Sequence, residues 1–306
     1  MGDFILHVLE EGFLFAILSL GVYISFRALN FPDLSVDGTY PLGAAVVAIM
    51  ILKGINPFIA MIIATLAGGL AGLFTGFLHT RLKIAPLLSG ILTMICLYSI
   101  NLRIMGRPNI SLSPYLGYRT FITIIKEEAN SLVTSKYLIP LIFLGIVIAL
   151  KFLLDIFLHT EIGLAIRATG DNEEMIRAEG VNTDTTKLIG LALSNSLVAL
   201  SGALFAQYQG FSDIGMGIGM IIAGLASVIT GEALFRGRTI SIITLEVIIG
   251  AIVYRLAIAV ALKWGYNFGF KPTDLKLLTG LLVIIILAFP VIRKRMKLKF
   301  LKDIKI

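Results

Sequence analysis

The sequence predicts an all-α, polytopic transmembrane protein. Of its 306 residues, 57% are hydrophobic, the mean hydropathy is +0.94, and long apolar runs recur almost from end to end. About 20 apolar residues cross the hydrocarbon core as a helix. Membrane strands would show ten-residue segments of alternating hydrophobicity, which the sequence lacks. We therefore predict one transmembrane domain, residues 1–306, with about 8–9 helical spans.

The apolar runs place the predicted spans near residues 8–27, 40–53, 57–79, 85–105, 138–159, 186–208, 215–231, 239–263 and 275–290. The run 40–53 is too short to cross unaided. Seven of the 26 basic residues lie in the last fourteen positions, and such a basic tail stays cytoplasmic. If the tail 292–306 lies on the cytoplasmic side of the plasma membrane, counting back through the spans puts the N-terminus outside the cell and the polar segment of about 160–186 in the cytoplasm.

The formal net charge of +7 does not indicate a nucleic-acid partner. Its excess is concentrated in the tail beside the last predicted span. Basic residues in that position face anionic lipid headgroups. The predicted partner of the tail is therefore the lipid bilayer.

Residues 161–187 carry nine charged side chains in 27 positions. Asp171 and Glu174 have the spacing of a capping box, and Gly180 is suited to end the helix that would follow. The pattern predicts a helix over 172–179, too short to be stable alone. The segment is either a solvated connector or, as its caps favour, a docking element.

Four stretches of the chain carry a resemblance to known proteins: "FPDLSVDGTYPLGAAV" (31–46), "GGLAGLFTGFLHTRLKIAPLLSGILTM" (68–94), the polar segment with its following span, and "GMGIGMIIAGLASVITGEALFRGRTISIITLEVIIGAIV" (215–253). They resemble permease subunits of ABC importers in the branched-chain amino-acid and ribose permease family. Within the family, the chain is most similar to permeases that accompany aromatic amino-acid binding proteins. Many sugar-type relatives have an extra first helix. Where relatives often carry paired glycines, this chain has Gly231-Glu232, which adds an ionisable group and weakens the case for a tight backbone approach.

The resemblance implies that helix 172–179 is a coupling helix in a groove of a separate ABC ATPase subunit. It also implies a permease homodimer, an extracellular solute-binding protein, and no catalytic, cofactor or metal site in this chain. ATP and magnesium would bind the ATPase, since the sequence has no phosphate-binding loop. The predicted ATPase contacts are Asp171, Asn172, Glu173, Met175, Ile176, Arg177, Glu179 and Gly180, with Arg81, Arg236 and Arg238 in flanking loops.

The stretch 31–43 contains two prolines and two glycines between apolar spans. It is either a cytoplasmic turn or, as the family favours, a broken helix lining the translocation pathway. Ionisable residues within spans are also candidates. The predicted pathway residues are Asp33, Ser35, Asp37, Gly38, Glu246 and Arg255.

Glu246 and Arg255 share one span but lie on opposite faces of the helix, so they cannot pair with each other. A salt bridge from Arg255 to Asp274 is favoured over contact with a substrate carboxylate. Small residues at 68–76 and 215–224 predict close helix packing. The segments "AGLFTGFLHTR" (71–81) and "AGLASVITGEALFR" (223–236) suggest an internal repeat.

We therefore expect a non-enzymatic permease for a small polar solute, and we favour an amino acid over a sugar or nucleoside as the substrate. Segment 106–137 is either a solvated external loop or a docking surface for the binding protein. An ion-coupled secondary transporter is an alternative and would depend on Glu246 and Asp33. A membrane enzyme would need clustered ligands, whereas His7, His79 and His159 are far apart in sequence.

Overall fold

The computed structural model describes residues 2–113, 117–128, 132–235 and 237–265, and single positions at 277, 279–281, 283–284 and 288; side chains are excluded at 128 and 132–136. The predicted last span, 275–290, lies mostly outside these residues, as does the whole tail 292–306.

The helices are α1 Gly2–Tyr23, continued by a π-helical turn Ile24–Ala28, then α2 Val36–Leu52, α3 Pro57–Thr80, α4 Pro86–Met105, α5 Phe121–Glu128, α6 Leu132–His159, α7 Glu161–Asp171, α8 Glu173–Ala178, α9 Thr183–Gln209, α10 Met220–Leu234 and α11 Ile240–Gly265.

In this described part, seven helical segments are long and apolar enough to cross a membrane. They and the shorter α2 correspond to eight of the nine predicted spans. The first begins at Gly2, earlier than the predicted residue 8. It extends because Glu10 and Glu11 have partners on other helices, Tyr208 and Arg255, which offset the cost of carboxylates near the bilayer.

Two short strands, β1 Asn109–Ser111 and β2 Phe211–Asp213, pair antiparallel. The all-α prediction did not include this ribbon, which joins the chain leaving α4 to the chain leaving α9. With 27 residues, α9 is about 40 Å long at 1.5 Å per residue. The ribbon and α8 therefore lie at opposite ends of α9, and we call these the ribbon end and the α8 end of the bundle.

Glycines let α3 pack directly on α9. A Cβ atom at Gly68 would lie 2.3 Å from the Ala199 Cβ, and one at Gly72 would lie 2.2 Å from the Leu191 carbonyl oxygen. This confirms the close packing predicted for 68–76, because such distances leave no room for a side chain. In the second small-residue stretch, 215–224, Gly224 packs closely on α1, since a Cβ atom at Gly224 would lie 2.7 Å from Val22 Cγ2.

The two similar segments, 71–81 and 223–236, include the α8 ends of α3 and α10. Each segment packs on another helix at a glycine: Gly76 packs on Leu188 of α9, and a Cβ atom at Gly231 would lie 2.2 Å from the Glu246 carbonyl oxygen of α11. The structure therefore removes the doubt about a tight backbone approach at Gly231, because this single glycine is sufficient. The internal repeat itself stays a prediction.

Candidate functional site

The polar segment forms two helices, where the sequence predicted one. Thr160 is the N-cap of α7, and its Oγ1 accepts a hydrogen bond from the Gly163 amide. Asn172 is the N-cap of α8, and its Oδ1 accepts from the Met175 amide at 3.0 Å. Asp171 was therefore wrongly predicted as the cap of α8, since it is the last residue of α7. Gly180 has φ +92° and ends the short helix as predicted.

Glu173 attaches α8 to α9. Both of its carboxylate oxygens accept from Lys187 Nζ at 2.7 Å, and Oε1 also accepts from Thr183 Oγ1 at 3.2 Å and Arg177 at 3.0 Å. Burial acts to raise the pKa of Glu173, but the hydrogen bond and positive charge of Lys187, with smaller effects of Thr183 and Arg177, hold that pKa below its ordinary value. The carboxylate is thus directed toward its own chain.

Arg177 also contacts its own chain. Its Nε donates to Thr183 Oγ1 at 3.1 Å, and Nη2 lies 3.5 Å from Asp184 Oδ1. The Arg177 side chain is nevertheless 57% exposed, so it borders the outward face of α8. On that face Met175 is 56% exposed and Ile176 is half-buried. Asp171, Asn172, Glu174, Ala178, Glu179 and Gly180 are exposed. Glu174, predicted only as part of the cap, therefore belongs to this outward face.

The flanking loops lie at the same end of the bundle. Arg81 and Arg238 are exposed, whereas Arg236 lies outside the described residues. Lys83 lies 3.8 Å from Asp184 of α9, so the loop after α3 contacts the start of α9. The predicted residues Arg81 and Arg238 therefore present charge to solvent at the α8 end of the bundle.

Glu246 lies two turns into α11, and its Oε1 accepts the Gly237 amide at 2.5 Å. It closes the loop between α10 and α11 and is only 4% exposed. Glu232, the added ionisable group, accepts from Arg27 Nε at 2.6 Å. This pair joins the α8 ends of α1 and α10.

Residues 29–35, which we call the break segment, separate α1 from α2. Asp33 within it is fully buried, and its Oδ1 accepts from the Ser35 amide at 2.9 Å while Oδ2 accepts from Asn195 Nδ2 at 2.7 Å. Ser35 Oγ donates to Asn195 Oδ1 at 3.2 Å. These polar groups fix the break segment to α9, and sequence reasoning missed Asn195 because its partner lies 162 positions away.

Asp37 caps a different helix from its own. Its Oδ2 accepts from the Gly219 amide at 3.0 Å, and Oδ1 accepts from the Ile221 amide at 2.8 Å. A carboxylate there favourably opposes the positive end of the α10 dipole. The next residue, Gly38, accepts from Asn101 of α4 through its carbonyl at 3.0 Å. The broken-helix region thus connects α2, α4, α9 and α10.

Arg255 pairs with Glu11 of α1, 2.6 Å from its Nε, and lies 4.6 Å from the Phe15 ring centre. The prediction that it needs an intramembrane partner off its own helix is confirmed, but the partner is Glu11. Asp274, the favoured partner, lies outside the described residues. Glu246 and Arg255 do not pair, as their helical spacing predicted.

At the ribbon end, the predicted segment 106–137 contains β1 and the amphipathic α5. Gln207 of α9 accepts from the Phe121 amide at 2.8 Å, and the Phe121 ring stacks edge-on against Phe58 of α3 at 5.3 Å. Residues 114–116 and 129–131 lie outside the described part. The segment is therefore packed on the bundle through α5, and is not simply a solvated loop.

Comparison with known proteins assigns the chain to a family. Residues 4–288 match the model of the branched-chain amino acid transport system / permease component family. The chain belongs to this family of permeases. This confirms the resemblance noted in the sequence, and identifies the molecule as a multi-pass membrane permease.

The permease is 43% identical over 284 residues to the tyrosine transport system permease protein of Clostridioides difficile (strain R20291), covering 93% of this chain and 90% of that one. It is 37% identical to an uncharacterized protein of Rickettsia prowazekii (strain Madrid E), with coverages of 94% and 97%. It is also 26% identical to the autoinducer 2 import system permease protein LsrC of Yersinia pseudotuberculosis serotype O:3 (strain YPIII), with coverages of 74% and 61%.

Among solved structures, the permease is similar to a chain of a metal-chelate type ABC transporter in an inward-facing conformation, with a TM-score of 0.50, 21% identity, and coverage of 94% of this chain and 86% of that one. This likeness concerns the fold alone. Within the described residues, no group of three or more His, Cys, Asp or Glu side chains is arranged to hold a metal ion. The three histidines of the permease each have separate protein partners.

Proposed function

We propose that this permease is the transmembrane subunit of an ABC importer that brings an amino acid into the cell. A separate ATPase subunit binds the outward face of α8 and supplies ATP and magnesium. The α8 end is cytoplasmic, and an extracellular solute-binding protein docks at the ribbon end on segment 106–137. Two copies of the permease form the pathway between them. Tyrosine is the first substrate to test because of the 43% identical tyrosine permease.

The observation that carries this proposal is the direct packing of α7 on the break segment. A Cβ atom at Gly170 of α7 would lie 2.3 Å from the Ala28 carbonyl oxygen, so the two backbones touch. Ile166 of α7 packs in one buried cluster with Leu29 and Phe31. A displacement of α7 and α8 by an ATPase therefore acts on residues 28–31 without an intermediate element, since close-packed interiors transmit displacement.

The break segment can pass this displacement on to the pathway. Its Asp33 is hydrogen-bonded to α9, and Asp37, four residues later, holds the N-terminus of α10. Non-helical backbone at membrane depth is tolerated where it is buried in protein or lines a cavity. We infer that movement of the break segment changes the relative position of α2 and α10, and so alternates access to the solute.

The ion-coupled alternative receives less support from these contacts. Asp33 is buried and accepts two hydrogen bonds from its own chain, and Glu246 closes the α10–α11 loop. A coupling-ion site would need carboxylates available to an ion. A non-amino-acid substrate is the remaining alternative, suggested by the autoinducer 2 permease relative.

Reconstitution tests the proposal. The tagged permease is extracted in mild detergent with its ATPase, placed in vesicles with the binding protein, and assayed for uptake of radiolabelled tyrosine. We expect uptake that requires ATP on the α8 side, and no ATP hydrolysis by the permease alone. Uptake driven by an ion gradient without ATP, or ATPase activity of the pure permease, would contradict the proposal. Competition with unlabelled sugars and nucleosides separates the substrate classes.

A further inference from the structure

Lys187, in the second turn of α9, is a buried cation with 9% exposure. Its Nζ donates to both carboxylate oxygens of Glu173 at 2.7 Å and approaches His79 Nε2 at 3.1 Å. A lysine ammonium has three N–H donors and no acceptor. All three donors are therefore used, and they join α9 to α8 on one side and to the end of α3 on the other.

These contacts determine the tautomer of His79. Lys187 can only donate, so Nε2 of the imidazole accepts, and the proton of the neutral ring resides on Nδ1. Nδ1 then donates to the Ile84 carbonyl oxygen at 2.8 Å. The same ring stacks edge-on against Phe31 of the break segment, with 5.2 Å between ring centres. His79 thus touches both Lys187 and the break segment.

α8 has little else to fix its position. It has six residues, and none of them is buried, so neither its length nor an apolar face holds it in place. Its charged contacts come from Glu173 and Arg177. Within the described residues, the side chain of Arg177 contacts Glu173, Thr183 and Asp184, whereas Glu173 continues through Lys187 to α3. The Glu173–Lys187–His79 series is therefore the more buried of two polar connections from α8 toward α3, because the other runs from Arg177 through Asp184 to Lys83 in the loop after α3, whose side chain is 72% exposed.

We propose that Lys187 and His79 are positioning residues, which hold α8 to α3 and to the break segment so that displacement of α8 by the ATPase moves the break segment. This inference rests on the proposed function. It assigns Glu173 to internal anchoring and leaves ATPase binding to the outward face of α8. Without the connection, the ATPase still binds and hydrolyses ATP, but less solute moves for each ATP.

The test compares two pairs of variants in the complete reconstituted importer: Lys187→Met with Lys187→Arg, and His79→Leu with His79→Gln. Methionine removes the donors and leucine removes the acceptor. Arginine keeps the donors, and the glutamine carbonyl keeps an acceptor near the position of Nε2. ATPase co-purification, ATP hydrolysis and uptake of radiolabelled tyrosine are measured on each preparation. The ratio of uptake to hydrolysis is the readout.

We expect Lys187→Met and His79→Leu to keep the ATPase and its hydrolysis rate while uptake per ATP falls about tenfold, which equals about 1.4 kcal/mol of coupling. Lys187→Arg and His79→Gln should restore much of this ratio. An unchanged ratio in both disruptive variants would overturn the inference. So would a joint loss of ATPase binding, hydrolysis and uptake, because that indicates a merely structural role. Failure of the parental complex to hydrolyse ATP or take up tyrosine would instead contradict the proposed function.

Discussion

Arg255 of α11 donates from its Nε to Glu11 of α1 across 2.6 Å. The two side chains are 19% and 30% exposed, and the Phe15 ring lies 4.6 Å from the guanidinium carbon. Charges inside a membrane domain persist only where they are paired. This pair therefore fastens α1 to α11 in the half of the bundle nearer the ribbon end, and leaves Arg255 less available for a solute carboxylate.

Removing one partner of this pair should destabilise the permease. We expect Arg255→Met to cost about 2 kcal/mol, the scale of a hydrogen bond to a charged group, which for a domain of this size lowers Tm by roughly 4–8 °C. The double variant Glu11→Gln, Arg255→Met should recover part of the loss, because no carboxylate is left unpaired. Melting curves in detergent measure both. Equal Tm in the parental protein and Arg255→Met would show that the pair contributes nothing.

The packing of α3 on α9 predicts that two glycine-to-alanine variants differ in stability. A Cβ atom at Gly72 would lie 2.2 Å from the Leu191 oxygen, whereas one at Gly145 of α6 has nothing within 4 Å. Gly72→Ala should therefore cost about 1–3 kcal/mol by overpacking, while Gly145→Ala should be neutral or stabilising because alanine favours helix. Thermal melting of the two variants side by side checks this. Similar Tm values would contradict the described approach of α3 and α9.

The attachment of the break segment to α9 predicts that a variant of Asn195 loses both stability and uptake. Asn195→Leu removes the donor to Asp33 and leaves a buried carboxylate short of a hydrogen bond, at a cost of about 1–3 kcal/mol. Because Asp33 holds the break segment, uptake should fall together with Tm. Ser196→Ala, on the neighbouring half-buried position of α9, serves as the control. If Asn195→Leu behaves like Ser196→Ala in both assays, the Asp33 contact does not hold the segment.

The lowered pKa of Glu173 predicts a pH dependence of α8. A carboxyl group whose pKa is lower in the folded state stabilises the fold above its unfolded-state pKa of about 4.3, and this contribution is lost as pH falls through the folded-state pKa. A spin label at position 179, in a Cys96→Ser background, should thus report constant α8 mobility as pH falls from 7 to that unfolded-state pKa, and increased mobility as pH falls further through the lower folded-state pKa. Glu173→Gln should remove this dependence. The same acid transition in Glu173→Gln would refute this role for Glu173.

Much of the architecture follows from the sequence because it is encoded locally. The lengths of the apolar runs predict the spans, the spacing of the glycines in 68–76 predicts close helix packing, and Gly180 predicts the end of α8. The cap of α8 was misassigned by one residue because Asp171 and Asn172 are both good caps. α7 was missed because its charges resemble a loop, although Gly163 and Gly170 make close backbone contacts.

The partners of the charged residues required the tertiary structure. Glu11 lies 244 positions from Arg255, and His79 lies 108 from Lys187. Helical periodicity shows which face a side chain occupies, but not which helix lies opposite. For this reason the contacts of Glu173 and Arg177 with α9 were not foreseen, and the predicted contact of these two residues with the ATPase stays a prediction. Lys187 and Asn195 gave no local signal of their roles.

The outward face of α8 provides the most direct test that it is the coupling helix. The double variant Glu174→Lys, Met175→Asp changes two exposed side chains. Because Glu173, Arg177 and the Asn172 cap remain, α8 should stay attached to α9. Lys53→Glu, an exposed residue after α2, is the matched control with an altered surface charge. The measurement is the amount of ATPase that co-purifies with each variant. The account predicts loss of the ATPase from the α8 variant and retention by the control; undiminished ATPase on the α8 variant, with uptake at the parental rate, would contradict it.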